Sequence, residues 1–171
     1  MLTAIKSVAM CKSLGAGCVI LILICMSGCH QEAPVENKTP NLKILTQVKA
    51  DQRLNAAVER LTKVSTFAFG GVGFAGVESE GEADYRVVMS QPYDVALAVL
   101  EKLFANGNTE AKCYALAGIK KLSPTRFKEL LASARKSSDE VQVMRGCIMS
   151  HEPMRAVAQQ IADGEFQSRF E

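Results

Sequence analysis

The chain has 171 residues and a formal net charge of +2. Residues 1–28 hold two of its 20 basic side chains and none of its 18 acidic ones, so the rest of the chain carries 18 charges of each sign. That balance argues against a nucleic-acid-binding protein, which needs an excess of basic charge on one face, and the length suits one small domain with a modest core.

The N-terminal segment has the composition of a secretory signal. Lys6 and Lys12 precede an apolar run at residues 15–25, which small polar residues then interrupt. A signal peptide needs an apolar run of roughly 7–15 residues, whereas a membrane-spanning helix needs about 20. The run is too short to cross a bilayer, and we interpret it as an export signal.

The tetrapeptide that follows this run, Met26-Ser27-Gly28-Cys29, resembles the lipobox of bacterial lipoproteins. In that family the cysteine thiol receives diacylglycerol, the peptide bond before it is cut, and the new amino group is acylated. The resemblance implies that residues 1–28 are removed and that acylated Cys29 anchors the chain to a lipid bilayer. Met26 stands where the family usually has leucine, and its unbranched apolar side chain suits the same slot. The alternatives are an uncleaved N-terminal anchor helix and an ordinary cleaved signal that leaves Cys29 free.

The residue after the lipobox bears on location. His30 follows Cys29, and in lipoproteins of Gram-negative bacteria an Asp at that position tends to retain the protein in the inner membrane. The resemblance therefore implies a lipid-anchored protein of the bacterial cell envelope, in the outer membrane and facing the periplasm. Residues 29–41 carry two prolines and no apolar pattern, so we interpret them as the lipidated cysteine and a flexible tether.

Cleavage and lipidation would leave two of the six cysteines, Cys113 and Cys147, as ordinary side chains. In an oxidising compartment two such thiols are candidates for a disulfide. The bridge would close a loop of about 34 residues and contribute ~3–4 kcal/mol in the chain-entropy model. The alternative is two separate buried thiols.

A glycine-rich segment lies at residues 65–77, after an amphipathic helix that we predict over residues 42–64. Three of its glycines match the G-x-G-x-x-G pattern, namely Gly71, Gly73 and Gly76. A dinucleotide site also needs a preceding strand and a helix N-terminus that faces the pyrophosphate. Here Glu78 and Glu80 place negative charge where the phosphate would lie, so we predict a flexible loop and no cofactor.

The phenylalanines of this segment have two interpretations. They either pack under the domain or form an exposed apolar patch; they are Phe67, Phe69 and Phe74. The loop then leads into a helix, because Ser79 and Glu82 have the spacing of a capping box. We consider a calcium loop over the acidic residues 78–84 and reject it, since their spacing does not match an EF-hand.

The rest of the chain has the periodicity of short helices joined by tight turns. Further helices are predicted over residues 93–105, 109–121, 124–136 and 153–162. Residues 141–149 fit either a helix after Ser138 and Asp139 or a short strand, and we prefer the helix. His151 would then lie at a helix start.

These elements predict an all-α fold over residues 42–171. The run of short helices resembles the paired antiparallel helices of HEAT-like α-solenoids, which would make the domain a short solenoid. A small irregular helical bundle explains the same pattern, because no repeat recurs at a fixed period.

The sequence contains no catalytic or metal-binding motif. Its two histidines, His30 and His151, stand far apart along the chain. We therefore expect a non-enzymatic, membrane-anchored protein-interaction module, with no cofactor and no metal, whose partner is another envelope protein rather than nucleic acid. The alternative function is a carrier of a small apolar ligand in a helical cavity.

Overall fold

A computed structural model describes residues 42–168, with side chains from Lys49 onward. All helices and strands of this part belong to one compact unit. Within it the six helices are α1 (Leu42–Thr62), α2 (Glu80–Met89), α3 (Tyr93–Asn106), α4 (Thr109–Leu122), α5 (Pro124–Ala134) and α6 (Met154–Asp163). The four strands of the same part are β1 (Gly71–Val72), β2 (Val77–Glu78), β3 (Glu140–Arg145) and β4 (Ile148–Pro153).

The prediction of an all-α fold is wrong. β1 pairs with β2 and β3 pairs with β4, each antiparallel, so two small sheets accompany the helices. The fold of the described residues is therefore mixed α and β, and neither a helical bundle nor a HEAT-like solenoid describes it.

The helix preferred over residues 141–149 is replaced by the β3–β4 hairpin. Val141 and Val143 are buried and Gln142 is half-buried, an alternation with a period of two residues that suits a strand with one face on the core. Gly146 begins the two-residue turn with φ +59°, a conformation that would break a helix. His151 consequently lies within β4 and not at a helix start.

The other helices are confirmed within a few residues of their predicted ends. Pro124 stands at the first position of α5, as its fixed φ favours, and Gly164 ends α6. Asn108 caps α4, since its side-chain oxygen accepts the Ala111 N–H at 2.9 Å.

The centre of the fold is α4, which packs against α2, α3, α5, α6 and β3. Its buried positions occupy almost the whole circumference; they are Ala111, Cys113, Tyr114, Ala115, Leu116, Ala117, Gly118 and Ile119. Gly118 lets α3 approach closely, because a Cβ there would come within 2.7 Å of Leu100 Cδ1. Lys120 ties α4 to α6 by donating to the carbonyl oxygens of Ile161 at 2.7 Å and Ala162 at 3.0 Å.

Candidate functional site

The first half of the glycine-rich segment belongs to the core. Phe67 has no solvent exposure and bridges to β3: its N–H donates to Gln142 O at 2.8 Å, and Met144 N–H donates to Phe67 O at 3.0 Å. Its ring lies 4.9 Å from that of Tyr114 and 5.5 Å from that of Phe69. The predicted flexible loop is thus fixed on one side by main-chain pairing and aromatic packing.

Tyr114 of α4 holds the next residue of the segment. Its hydroxyl donates to Ala68 O at 2.9 Å and accepts the Ala68 N–H at 3.0 Å. The Ser79 hydroxyl also donates to Ala68 O, at 3.1 Å. Burial raises the pKa of Tyr114 to about 12, so the phenol stays protonated and able to donate.

Glu82 of α2 is a buried carboxyl group beneath the same segment. Its Oε2 accepts the Gly70 N–H at 2.9 Å, while Oε1 has no partner within hydrogen-bonding distance in the described part of the chain. Burial raises the pKa of Glu82, and hydrogen bonding by Ser168 and by the Gly70 N–H partly offsets that effect.

The predicted capping box is half confirmed by this geometry. Ser79 caps α2 by accepting the Glu82 N–H at 3.1 Å. The Glu82 side chain does not return to the Ser79 N–H, however, and bonds Gly70 instead. The carboxyl group therefore fixes the loop rather than the helix end.

The second half of the segment projects as a turn between β1 and β2. Phe74 at its tip is fully exposed, and Gly73 and Gly76 on either side have φ of +68° and +61°. Gly73 N–H donates to Gly146 O at 2.9 Å, which joins this turn to the β3–β4 turn. The two turns consequently form one structural tip.

Large apolar side chains are exposed on both sides of that junction. We call this set the tip patch; its members are Phe74, Val77, Ile148 and Met149. Ile148 is 72% exposed and Met149 is 55% exposed, values that leave most of each side chain in water. Scattered apolar residues are normal on a protein surface, but four on or beside two joined turns make this region a candidate interaction surface.

The tip patch carries no net charge. Residues 66–77 and 146–151 contain no Lys, Arg, Asp or Glu. The charged residues beside these segments are paired: Glu78, next to Val77, pairs with Arg86 at 2.9 Å. Arg145, next to Gly146, hydrogen-bonds Glu152 and lies over the Phe166 ring at 4.9 Å. The Arg145 hydrogen bond is the main cause that lowers the pKa of Glu152.

One strand beside the tip patch has an open edge. β3 lies between Phe67 and β4, so β4 is the outer strand. Arg145 and Ile148 close a two-residue turn, and hydrogen-bonded and non-hydrogen-bonded pairs alternate from there along the hairpin. The N–H and C=O groups of Met149 and His151 therefore point away from β3. Among the described residues no hydrogen bond reaches those groups. They could accept a strand from a partner.

The predicted site residues lie in different parts of the molecule. Cys29 is outside the described residues. Cys113 is buried in α4 with its Sγ 3.4 Å from Met154 Sδ, whereas Cys147 is exposed in the β3–β4 turn. Both are free thiols, so the disulfide suggested by the sequence is not formed in this structure.

The glycine triplet is divided between different structures. Gly71 lies in β1, while Gly73 and Gly76 shape the exposed turn. The helix that follows, α2, begins with Glu80 and Glu82 in its first turn, which is unfavourable for a phosphate group. Across residues 42–168 no three or more metal-ligating side chains converge, and no helix in that range is long and apolar enough to span a membrane.

Comparisons with protein-family models, with curated proteins and with solved structures found no match for this chain.

The tip patch is the feature that the sequence predicted least well. The two alternatives for the phenylalanines are both realised, because Phe67 packs inside and Phe74 is exposed. Ile148 and Met149 were expected on a helix, so their exposure was missed. The signal that could have found them is Gly146 between residues 141–145 and 148–153, because glycine favours the first central position of a two-residue hairpin turn.

Proposed function

We propose that this chain is a lipid-anchored protein of the bacterial envelope whose domain binds another envelope protein through the tip patch, without catalysing a reaction. The anchor is acylated Cys29, and the lipobox resemblance supports it. The location in the outer membrane, facing the periplasm, is part of the same proposal.

The observation that carries the proposal is the exposure of Phe74 on a turn that the rest of the fold holds in place. Burial of one such side chain in a partner is worth roughly 1.5–3 kcal/mol. Aromatic residues and methionine are enriched at protein interfaces, and the tip patch combines both. Because the Gly73–Gly146 hydrogen bond joins the two turns, binding would cost little ordering entropy.

Photo-crosslinking in cells tests the proposal. The photoreactive amino acid p-benzoylphenylalanine replaces Phe74 in one strain and Tyr93, an exposed aromatic residue of α3, in a control strain. Cells are labelled with radioactive palmitate before irradiation. We expect one discrete, palmitate-labelled adduct of higher mass from position 74, none from position 93, and no label when Cys29→Ser is added.

Each half of the proposal can fail separately. Absence of a protein adduct at position 74, with the protein folded and abundant, would contradict docking through the tip patch. Absence of palmitate label, with a known lipoprotein labelled in the same cells, would contradict the lipid anchor.

A further inference from the structure

A second surface feature lies where α1, α2 and α4 meet, beside β2. An open groove of about 970 Å³ is bordered there by side chains from all three helices and from β2. We call it the basic groove because four of its side chains are cations, namely Lys49, Arg53, Arg86 and Lys121.

The described residues of the basic groove carry an excess of positive charge. Glu78 is the one acidic residue among them, and it pairs with Arg86 at 2.9 Å. Lys49 and Arg53 stand four residues apart on α1, so they face the same side of the helix and repel each other. Like charges at this spacing weakly destabilise a helix, and an anion bound between them would offset that effect.

In a neighbouring groove of the same fold, each cation has a carboxylate partner. It is bordered by two cations and three carboxylates. Its Arg60 forms two hydrogen bonds with Asp84, at 2.8 and 2.5 Å, and its Lys63 pairs with Glu59 at 3.2 Å. Acidic residues therefore neutralise the cations of that groove, whereas in the basic groove no described carboxylate pairs with Lys49 or Arg53.

The remaining wall of the basic groove is largely apolar. Its hydrocarbon surface comes from Ala50, Ala83, Val87 and Met89. A groove with cations beside a hydrocarbon wall suits an anionic lipid. The charged group of the lipid can contact the cations while its acyl chain packs against the wall. Guanidinium and ammonium groups both bind phosphate oxygens strongly.

We propose that the basic groove binds the phosphate of an anionic membrane phospholipid. The inference rests on the proposed function, because acylated Cys29 would keep the groove near a bilayer. The twelve residues between Cys29 and Leu42 reach at most about 45 Å when fully extended. Lys49 and Arg53 belong to α1, the first helix after that segment, so they lie on the element nearest the anchor along the chain.

Native mass spectrometry of the full chain tests this assignment. The protein is released from non-ionic detergent micelles that contain phosphatidylglycerol or phosphatidylcholine with the same acyl chains, or inorganic phosphate alone. The variant K49Q/R53Q is compared with K128Q/R135Q, which removes two charges from α5 and its C-cap, outside the basic groove. Every variant keeps the same N-terminal segment, so lipid retained by that segment cancels in the comparison.

We expect phosphatidylglycerol to bind more tightly than phosphatidylcholine. Loss of two cations near an anionic lipid should weaken that binding roughly thirtyfold in K49Q/R53Q and leave it unchanged in K128Q/R135Q. Circular dichroism verifies that both variants are folded.

Three results would overturn the assignment: equal binding of the two lipids, equal weakening in both double variants, or inorganic phosphate binding as tightly as the lipid. The measurement is made in vitro on the protein alone. Its failure is therefore distinguishable from failure of the crosslinking at position 74 or of acylation at Cys29.

Discussion

Three side chains hold the main chain of the glycine-rich segment at Ala68 and Gly70. Tyr114 makes two hydrogen bonds with Ala68, Ser79 adds a third, and Glu82 accepts from Gly70. All of these groups are buried or partly buried, so each hydrogen bond prevents the cost of about 1–3 kcal/mol that a buried unpaired polar group would impose. The exposed turn with Phe74 extends from this fixed base.

The Ser79 cap was predictable because it depends on residues three positions apart along one chain segment. The partner of Glu82 was not predictable. Gly70 lies twelve positions before it, and the path of a glycine-rich segment is set by tertiary packing rather than by local preference. Sequence reasoning therefore found the cap and missed the buried carboxyl group.

Glu82→Gln should change how stability depends on pH. The pKa of Glu82 is raised by burial from its ordinary value of 4.5, so the folded protein holds this proton more tightly than the unfolded chain. As the pH rises from about 4.5 through the raised pKa, this group lowers the free energy of unfolding. Glutamine keeps an oxygen that can accept from Gly70 and cannot ionise, so this loss should disappear.

Urea unfolding at a series of pH values measures the effect. The stability of Glu82→Gln relative to the wild type should increase from pH 4.5 to pH 7.5. Glu80→Gln removes an exposed carboxyl group from the same turn of α2 and serves as the matched control. A constant difference between Glu82→Gln and the wild type across the pH range would contradict a raised pKa.

At the scale of elements, the β3–β4 hairpin depends on partners that are distant in sequence. Phe67 pairs with Val143 across 76 positions, and the Gln142 N–H donates to Glu110 Oε1 at 2.9 Å. A helical segment could not present its main chain to these partners. The local pattern alone left helix and strand undecided, because strand preference depends mainly on such neighbours.

The helices were easier to predict for a corresponding physical reason. Their apolar stripes, caps and terminal prolines lie within one segment, as in α6, where Met154, Val157, Ala158 and Ile161 form the buried face. Each element could thus be recognised without knowledge of the packing. The order of helices was predictable, and their arrangement around α4 was not.

Substitutions at Gly146 should show how much its backbone conformation, as distinct from side-chain packing, contributes to the free energy of unfolding. Its φ is +59°, and a Cβ at this position would meet no atom within 4 Å. Any loss of stability must therefore come from the left-handed backbone. Gly146→Val should lower the free energy of unfolding by about 1–2 kcal/mol, whereas Gly146→Asn should cost less, since asparagine tolerates this conformation.

The midpoints of urea unfolding for the two variants provide the measurement. Equal midpoints for valine and asparagine would mean that Gly146 does not keep a positive φ in solution. The β3–β4 turn would then differ from the one described here, and so would its hydrogen bond with Gly73.

At the scale of the whole molecule, the two surface features meet at β2, which contributes Val77 to the tip patch and Glu78 to the basic groove. The other members of the tip patch lie in the β1–β2 turn and at the start of β4, and the basic groove is otherwise formed mainly by α1, α2 and α4. The two proposals thus assign one surface of this small domain to a protein and another to a lipid. The central helix α4 contributes Tyr114 to the base of the first and Lys121 to the second.

The two cysteines of the described residues provide a test of this whole arrangement. Cys113 lies on α4 with no solvent exposure, and burial raises the pKa of its thiol. Cys147 is exposed at the tip. Since the thiolate is the reactive form, iodoacetamide should modify Cys147 in the folded protein and reach Cys113 more than about a hundredfold more slowly, through unfolding alone.

Peptide mass spectrometry after timed alkylation without reductant measures both rates in the same sample. Cys147→Ala should leave Cys113 protected, and urea should abolish that protection, because burial rather than a partner cysteine shields the thiol. Rapid modification of Cys113 under native conditions would contradict the position of α4 at the centre of the core. If instead both cysteines stay unmodified in urea until a reductant is added, they form the disulfide that the sequence suggested, and the β3–β4 turn must approach α4 more closely than in this structure.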